Sequence, residues 1–307
     1  MNITFRNLKQ RIFFRISQKS KLSIAYYVIL TLGILVNVVY AIFTPDFFHP
    51  DEIYQTLEVA HKFVYGYGYL SWEWKKSSFY LPNDPVGYGQ IRSLLTPLIF
   101  SIFFIIGNIL QLNYWNGILP MIRIILAINF LTGLYLASKI IQELNPDKTL
   151  PVDKFFFVIA LFYHDTIFYS SKTLTNTLVA SFVFFALYIW IKKFPIIENQ
   201  EQDLDNEEKS NDQDKIRKYY DYIEVFAGFL VGLAIWIRPD SAVFMGIFVL
   251  LFIQKIELSR TINFAIGFIL SAIIDGWLDF LYYGKFFITF INFLKFNLKY
   301  PFFNIPF

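Results

Sequence analysis

The chain has 307 residues, 56% of them hydrophobic and 21% aromatic against 17% charged, where a soluble domain carries about a quarter charged residues. Its apolar residues lie in long runs, more than one globular core would bury, so the bilayer is the expected solvent for much of the surface. A formal net charge of +3 spread over scattered basic residues gives no ground for a nucleic-acid partner, and the absence of cysteine excludes disulfides, thiolate metal sites and a cysteine nucleophile.

The N-terminal stretch 1–21 is basic, with Arg6, Lys9, Arg11, Arg15, Lys19 and Lys21. It precedes an apolar run from Leu22 to Phe43, long enough to cross about 30 Å of hydrocarbon and followed by no small-residue cleavage site. The run reads as a retained membrane helix with a cytosolic N-terminus. Further apolar segments fall at 93–111, 119–141, 153–171, 174–191, 222–238, 240–256 and 261–283, about eight spans in all. The expected fold is therefore an all-α polytopic membrane protein, one domain over 1–307. His164 and Asp165 interrupt the third of these segments and mark it as broken or re-entrant. Two polar stretches separate the spans: a non-cytosolic first loop over 45–92, and a charged tract over 194–221 that reads as a disordered linker.

Within the first loop, His49-Pro50-Asp51-Glu52 precedes a helical pattern of Ile53, Leu57, Ala60 and Val64. Proline suits the first turn of a helix and acids there are favoured by its dipole, so the motif is a sound start for an interfacial helix. It is equally suited to chemistry. Sugar transfer from a lipid phosphate needs a base for the acceptor hydroxyl, whereas the phosphate leaves without an acid, so one carboxylate suffices. Tyr65 to Trp74, rich in aromatics beside Glu73, has the composition that stacks on pyranose rings, or that lines a membrane interface.

His49-Pro50-Asp51-Glu52, Gln55, Leu57 to His61, Tyr69 to Trp74 and Arg92-Ser93 together resemble the first-loop signature of the Alg9-like mannosyltransferases, glycosyltransferase family 22, and within it the branch that adds the third mannose of the glycosylphosphatidylinositol (GPI) core. The resemblance continues in order through Arg123, Lys172 to Thr177, Arg238-Pro239, Asp279 to Gly284 and Asn292 to Asn297. It implies a C-type glycosyltransferase fold and inverting transfer of mannose from dolichyl or polyprenyl phosphate mannose to a lipid-linked glycan such as a GPI precursor. Asp51 is then the expected base, and Glu52 the second carboxylate of the catalytic pair, a supporting group that positions the acceptor. His49 would help position the acceptor, Trp72 and Glu73 would line its sugar path, and Arg92, Lys172 and Arg238 would face the donor phosphate. Asn176 and Asp279 complete the expected substrate-binding set. The expected location is the endoplasmic-reticulum membrane in a eukaryote or the plasma membrane in a prokaryote.

Cations such as Lys172 and Arg238 at the edges of apolar runs also snorkel to the interface, and Asn176 also bonds helix backbone. Asp275 and Asp279, four apart, share one face of the last long run, where an unpaired carboxylate is costly, so Asp279 is expected to face protein or water. The chain departs from the family pattern at Lys172, where arginine is usual, at Val179, where an acid is usual, and in a Tyr80 to Pro85 insertion. Family chains run into further helices beyond the segment resembling Asn292 to Asn297, so a chain ending at Phe307 is expected to be short at the C-terminus. No cofactor is expected. The alternatives are a divalent metal site at His49, Asp51, Glu52 and His61, a transporter or lipid-binding protein, and a catalytically incomplete partner subunit.

Overall fold

The computed structural model describes residues 24–44, 47, 49–75, 79–81, 84–147, 149–202, 210–254 and 258–299. Eleven helices follow in chain order among them. They are α1 (Ile24–Phe43), α2 (Glu58–Tyr65), α3 (Leu95–Ile109), α4 (Leu119–Leu144), α5 (Val152–Phe162), α6 (His164–Tyr169), α7 (Thr175–Gln202), α8 (Ser210–Ile237), α9 (Ala242–Gln254), α10 (Leu258–Tyr283) and α11 (Ile288–Lys299). The helical expectation holds with one exception, a short antiparallel hairpin of β1 (Phe79–Leu81) and β2 (Asp84–Tyr88) on which the Tyr80 to Pro85 insertion falls. Residues 82 and 83, between the strands, lie outside the described residues.

Three described helices are long and apolar enough to cross a membrane: α1, α10, and α4 together with the wide turn before it, Tyr114–Leu144. Leu95–Ile109, Thr175–Ile191, Pro239–Leu250 and Ile288–Leu298 are apolar but shorter. The segment expected to break does so: α5 stops at Phe162, Tyr163 is extended at ψ 130°, and α6 restarts at His164. The tract 194–221 needs correcting as a linker, because α7 runs to Gln202 and α8 begins at Ser210. Its Glu, Gln and Lys residues are good helix formers, and charge alone does not unfold a segment that continues two apolar helices. Residues 203–209 lie outside the described residues, as do the basic residues of 1–21.

Packing between helices relies on small residues. On α8, Gly228 and Gly232 form a G-x-x-x-G pair, and on α10 Gly267 and Ser271 repeat the spacing. A Cβ on Gly228 would sit 2.0 Å from the Phe264 carbonyl oxygen, and one on Gly267 would sit 1.8 Å from that of Val225, so the two backbones touch. Where lipid is as apolar as leucine, such close approach is what drives association. Below this crossing Arg260 Nε donates to Glu224 Oε1 at 2.6 Å, and Asn263 Nδ2 bridges Asp221 and Glu224 at 2.8 and 3.1 Å. The Arg260 guanidinium lies 4.1 Å from the centre of the Trp190 ring, on α7. Elsewhere α4 packs on α7, which packs on α8. Asn37 of α1 is buried and donates to the Gly33 and Leu161 carbonyls at 2.8 and 3.0 Å, tying α1 to α5.

Candidate functional site

A wide-turned helical segment, Glu52–Leu57, leads directly into α2. Helical spacing sorts its side chains. Asp51, Tyr54, Gln55 and Glu58, at i, i+3, i+4 and i+7, line one cavity of about 1040 Å³. Glu52, Thr56, Val59 and Ala60 turn inward and are buried. The two neighbouring acids are thus about a quarter-turn apart on the helix and face different surroundings.

The Asp51 side chain is 43% exposed, with His49 Nδ1 at 3.3 Å from its Oδ1. Glu52 is 0% exposed. Its Oε2 accepts from the Thr173 backbone N–H at 3.1 Å and hydroxyl at 3.3 Å, and its Oε1 accepts from the His49 N–H at 3.3 Å. Thr56 Oγ1 adds bonds to the Glu52 and Thr173 carbonyls at 2.6 and 3.1 Å. Glu52 therefore fastens the first loop to the buried Ser170–Thr173 turn ahead of α7.

Opposite charges complete the cavity. Arg92 donates through both Nε and Nη2 to Glu73 Oε1, at 3.1 and 2.8 Å, and Gln55 Nε2 reaches the same oxygen at 3.3 Å. Arg238 bonds Asp240 Oδ2 at 2.8 Å and Thr175 Oγ1 at 3.1 Å. Both guanidiniums line the cavity beside Tyr69, Ser71, Ile91, Phe293, Phe296 and Asn297. Tyr54 and Tyr69 meet edge to face at 5.7 Å, an aromatic corner open to solvent. Leu94, two residues past Arg92, lines a separate apolar groove of about 540 Å³ with Phe63, Leu98, Leu278 and Tyr282, between α2, α3 and α10.

The family model that describes the Alg9-like mannosyltransferases matches residues 24–303. The chain belongs to the Alg9-like mannosyltransferase family. Among curated relatives, it is 28% identical to Mannosyltransferase APTG1 of Arabidopsis thaliana over 85% of this chain, and 27% identical to GPI alpha-1,2-mannosyltransferase 3 of Danio rerio over 86%. GPI mannosyltransferase 3 of Candida albicans is 28% identical over 82%. The chain spans less than half of those relatives' own length, 42%, 42% and 44% respectively. No solved structure matches.

In this Alg9-like chain the structure gathers Asp51, Glu73, Arg92 and Arg238 around one cavity, with His49 at the edge beside Asp51. Four expected residues stand away from it. Glu52 is interior for the reason given. Lys172 is 1% exposed within the same buried turn, its ammonium 4.9 Å from the centre of the Phe168 ring. Asn176, on the first turn of α7, is exposed and absent from the cavity wall. Asp279 is fully buried and accepts from the Thr289 N–H and hydroxyl at 3.0 and 2.7 Å, so it faces protein and starts α11. The Trp72 side chain lies outside the described residues. His49, Asp51, Glu52 and His61 do not converge, and among the described residues no three acidic or imidazole groups gather as a metal-holding cluster. Tyr54, Glu58 and Asp240 are cavity residues that the motif reading passes over. The i, i+3, i+4, i+7 stripe from Asp51 carries the first two in plain sequence, and Asp240 follows the Arg238-Pro239 pair.

Proposed function

We propose that this membrane protein transfers mannose from dolichyl or polyprenyl phosphate mannose to a lipid-linked glycan, a GPI precursor in the endoplasmic-reticulum membrane, with inversion at the anomeric carbon. The observation that carries the reading is the half-exposed Asp51 carboxylate in a cavity that also holds two guanidiniums and a tyrosine corner. Asp51 takes the proton of the acceptor hydroxyl as its oxygen bonds to the sugar, and the phosphate departs with the electrons of the broken bond. Arg92 and Arg238 meet the donor phosphate's negative charge, each already oriented by a carboxylate. Tyr54 and Tyr69 offer ring faces to a sugar, while Glu73 and Glu58 accept from hydroxyls.

Support for lipid-linked substrates comes from the apolar groove beside the cavity, which has the size and lining for part of a hydrocarbon tail. With α1, α4 and α10, the shorter apolar helices α3, α7 and α9, the broken α5–α6 segment and α8 would make a polytopic bundle of about eight spans of the C type. The names of the relatives in zebrafish and Candida support the GPI acceptor. Membranes carrying the protein, given labelled polyprenyl-phosphate mannose and a lipid-linked glycan, are expected to label the glycan. Label arriving only from a nucleotide sugar would overturn the donor assignment.

A further inference from the structure

Two carboxylates buried in the C-terminal third of an apolar helix are costly features. Asp275 is 1% exposed and Asp279 0%, one turn apart on α10, and neither lines the cavity. Each is tolerable there because it accepts hydrogen bonds from a neighbouring element, which makes it a structural tie.

Each carboxylate grips a different wall. Asp275 Oδ1 accepts from Ser93 Oγ at 2.6 Å, and the same hydroxyl accepts from the Leu95 N–H at 3.2 Å, starting α3. Ser93 immediately follows Arg92. Asp279 Oδ2 accepts from the Thr289 N–H and Oγ1 at the first turn of α11, the helix that brings Phe293, Phe296 and Asn297 to the cavity. The two walls are then cross-tied, because Asn292 Nδ2 of α11 donates to the Gly89 carbonyl at 3.0 Å and the Ile91 N–H donates to the Glu73 carbonyl at 3.0 Å. Between those ties Gln90 is held at φ +56°, a left-handed conformation that a non-glycine residue adopts only when its surroundings impose it.

We propose that Asp275 and Asp279 are positioning residues, a frame on α10 that sets Arg92 through Ser93 and the α11 wall through Thr289. This rests on the reading of the cavity as the transfer site. The frame fixes where the guanidinium stands relative to Asp51 without touching substrate.

The test uses a distance and a rate together. The chain contains no cysteine, so Tyr69→Cys with Phe293→Cys gives two unique spin-label sites across the cavity. Ser93→Ala and Thr289→Ala, mild changes that leave each partner folded, are expected to broaden the label distance markedly. In the unlabelled protein each is expected to raise the KM for the lipid-phosphate sugar about tenfold, the scale of one lost hydrogen bond to a charged group, with a much smaller change in kcat. Asp275→Asn keeps an acceptor for Ser93 and should retain the narrow distance and most of the rate, whereas Asp275→Ala should not. Unchanged distance and KM in Ser93→Ala and Thr289→Ala would overturn the proposal. So would loss of transfer in Asp275→Asn with the distance still narrow, which would make the carboxylate itself a reacting group. Broadened distances in a protein that transfers no mannose would uphold the frame and reject the transfer reading.

Discussion

The Thr173 backbone N–H and hydroxyl both point at one oxygen of Glu52, at 3.1 and 3.3 Å. That pairing joins the His49-Pro50-Asp51-Glu52 motif to the Lys172 to Thr177 motif, 121 residues apart. It explains in structural terms why an acid follows Asp51: the second carboxylate anchors the turn on which the first is displayed.

Glu52→Ala is accordingly expected to destabilise the protein by about 2–3 kcal/mol, since it leaves the buried donors of Thr173 and the partly buried N–H of His49 without a charged acceptor. Thermal unfolding in detergent checks this. Asp51→Asn, on an exposed group, should leave the unfolding midpoint unchanged, so the pair separates into a stability residue and an activity residue.

The α8–α10 crossing makes a steric prediction. Gly228→Leu and Gly267→Leu place side-chain atoms where backbone carbonyls lie within about 2 Å of an ideal Cβ, and each should cost more than about 3 kcal/mol or prevent folding. Gly246 on α9 meets nothing within 4 Å of an added Cβ, so Gly246→Ala is the control and should be neutral or slightly stabilising. Folded yield from membranes distinguishes them.

Breaking the buried Glu224–Arg260 pair should be far worse than replacing it. Arg260→Met leaves the Glu224 carboxylate buried beside Asn263 without its cation and is expected to cost about 3–5 kcal/mol, while Arg260→Met with Glu224→Leu should recover much of the loss. Comparing the unfolding midpoints of the two proteins tests it.

At the end of α2 the chain turns through Gly66 at φ +79°, where its N–H caps the Lys62 carbonyl at 2.9 Å. An added Cβ there meets no neighbour, so the cost of Gly66→Ala is conformational alone, about 1 kcal/mol. Gly66→Asn, which tolerates the left-handed region better, should be milder in the same unfolding measurement.

Much of this was legible in the residues. Long apolar runs announced the helices, and His164-Asp165 announced the break at Tyr163, because a polar pair inside hydrocarbon needs an interruption. The cavity stripe starting at Asp51 lies in the sequence at helical spacing, but the apolar pattern of Ile53, Leu57, Ala60 and Val64 draws the eye to the opposite face. What sequence could not reveal was which side of a helix faces a cavity: Glu52, Lys172 and Asp279 carry the charges that substrates need, yet each is buried, Glu52 against the distant Thr173, Lys172 beside the Phe168 ring and Asp279 against Thr289 at the start of α11. The small-residue spacing of Gly228, Gly232, Gly267 and Ser271 was visible but has meaning only once α8 and α10 are known to cross. Helicity in 194–202 and 210–221 was hidden by the charge of the tract, which reads as solvated coil when its apolar continuations are set aside.

The most direct measurement of the central claim is the rate of mannose transfer from polyprenyl-phosphate mannose by Asp51→Asn in membranes, with membrane insertion verified in parallel. Removal of a general base should lower the rate by about a hundredfold or more while insertion and stability stay as in the unaltered protein. Transfer at the unaltered rate would contradict the assignment of Asp51 as the base.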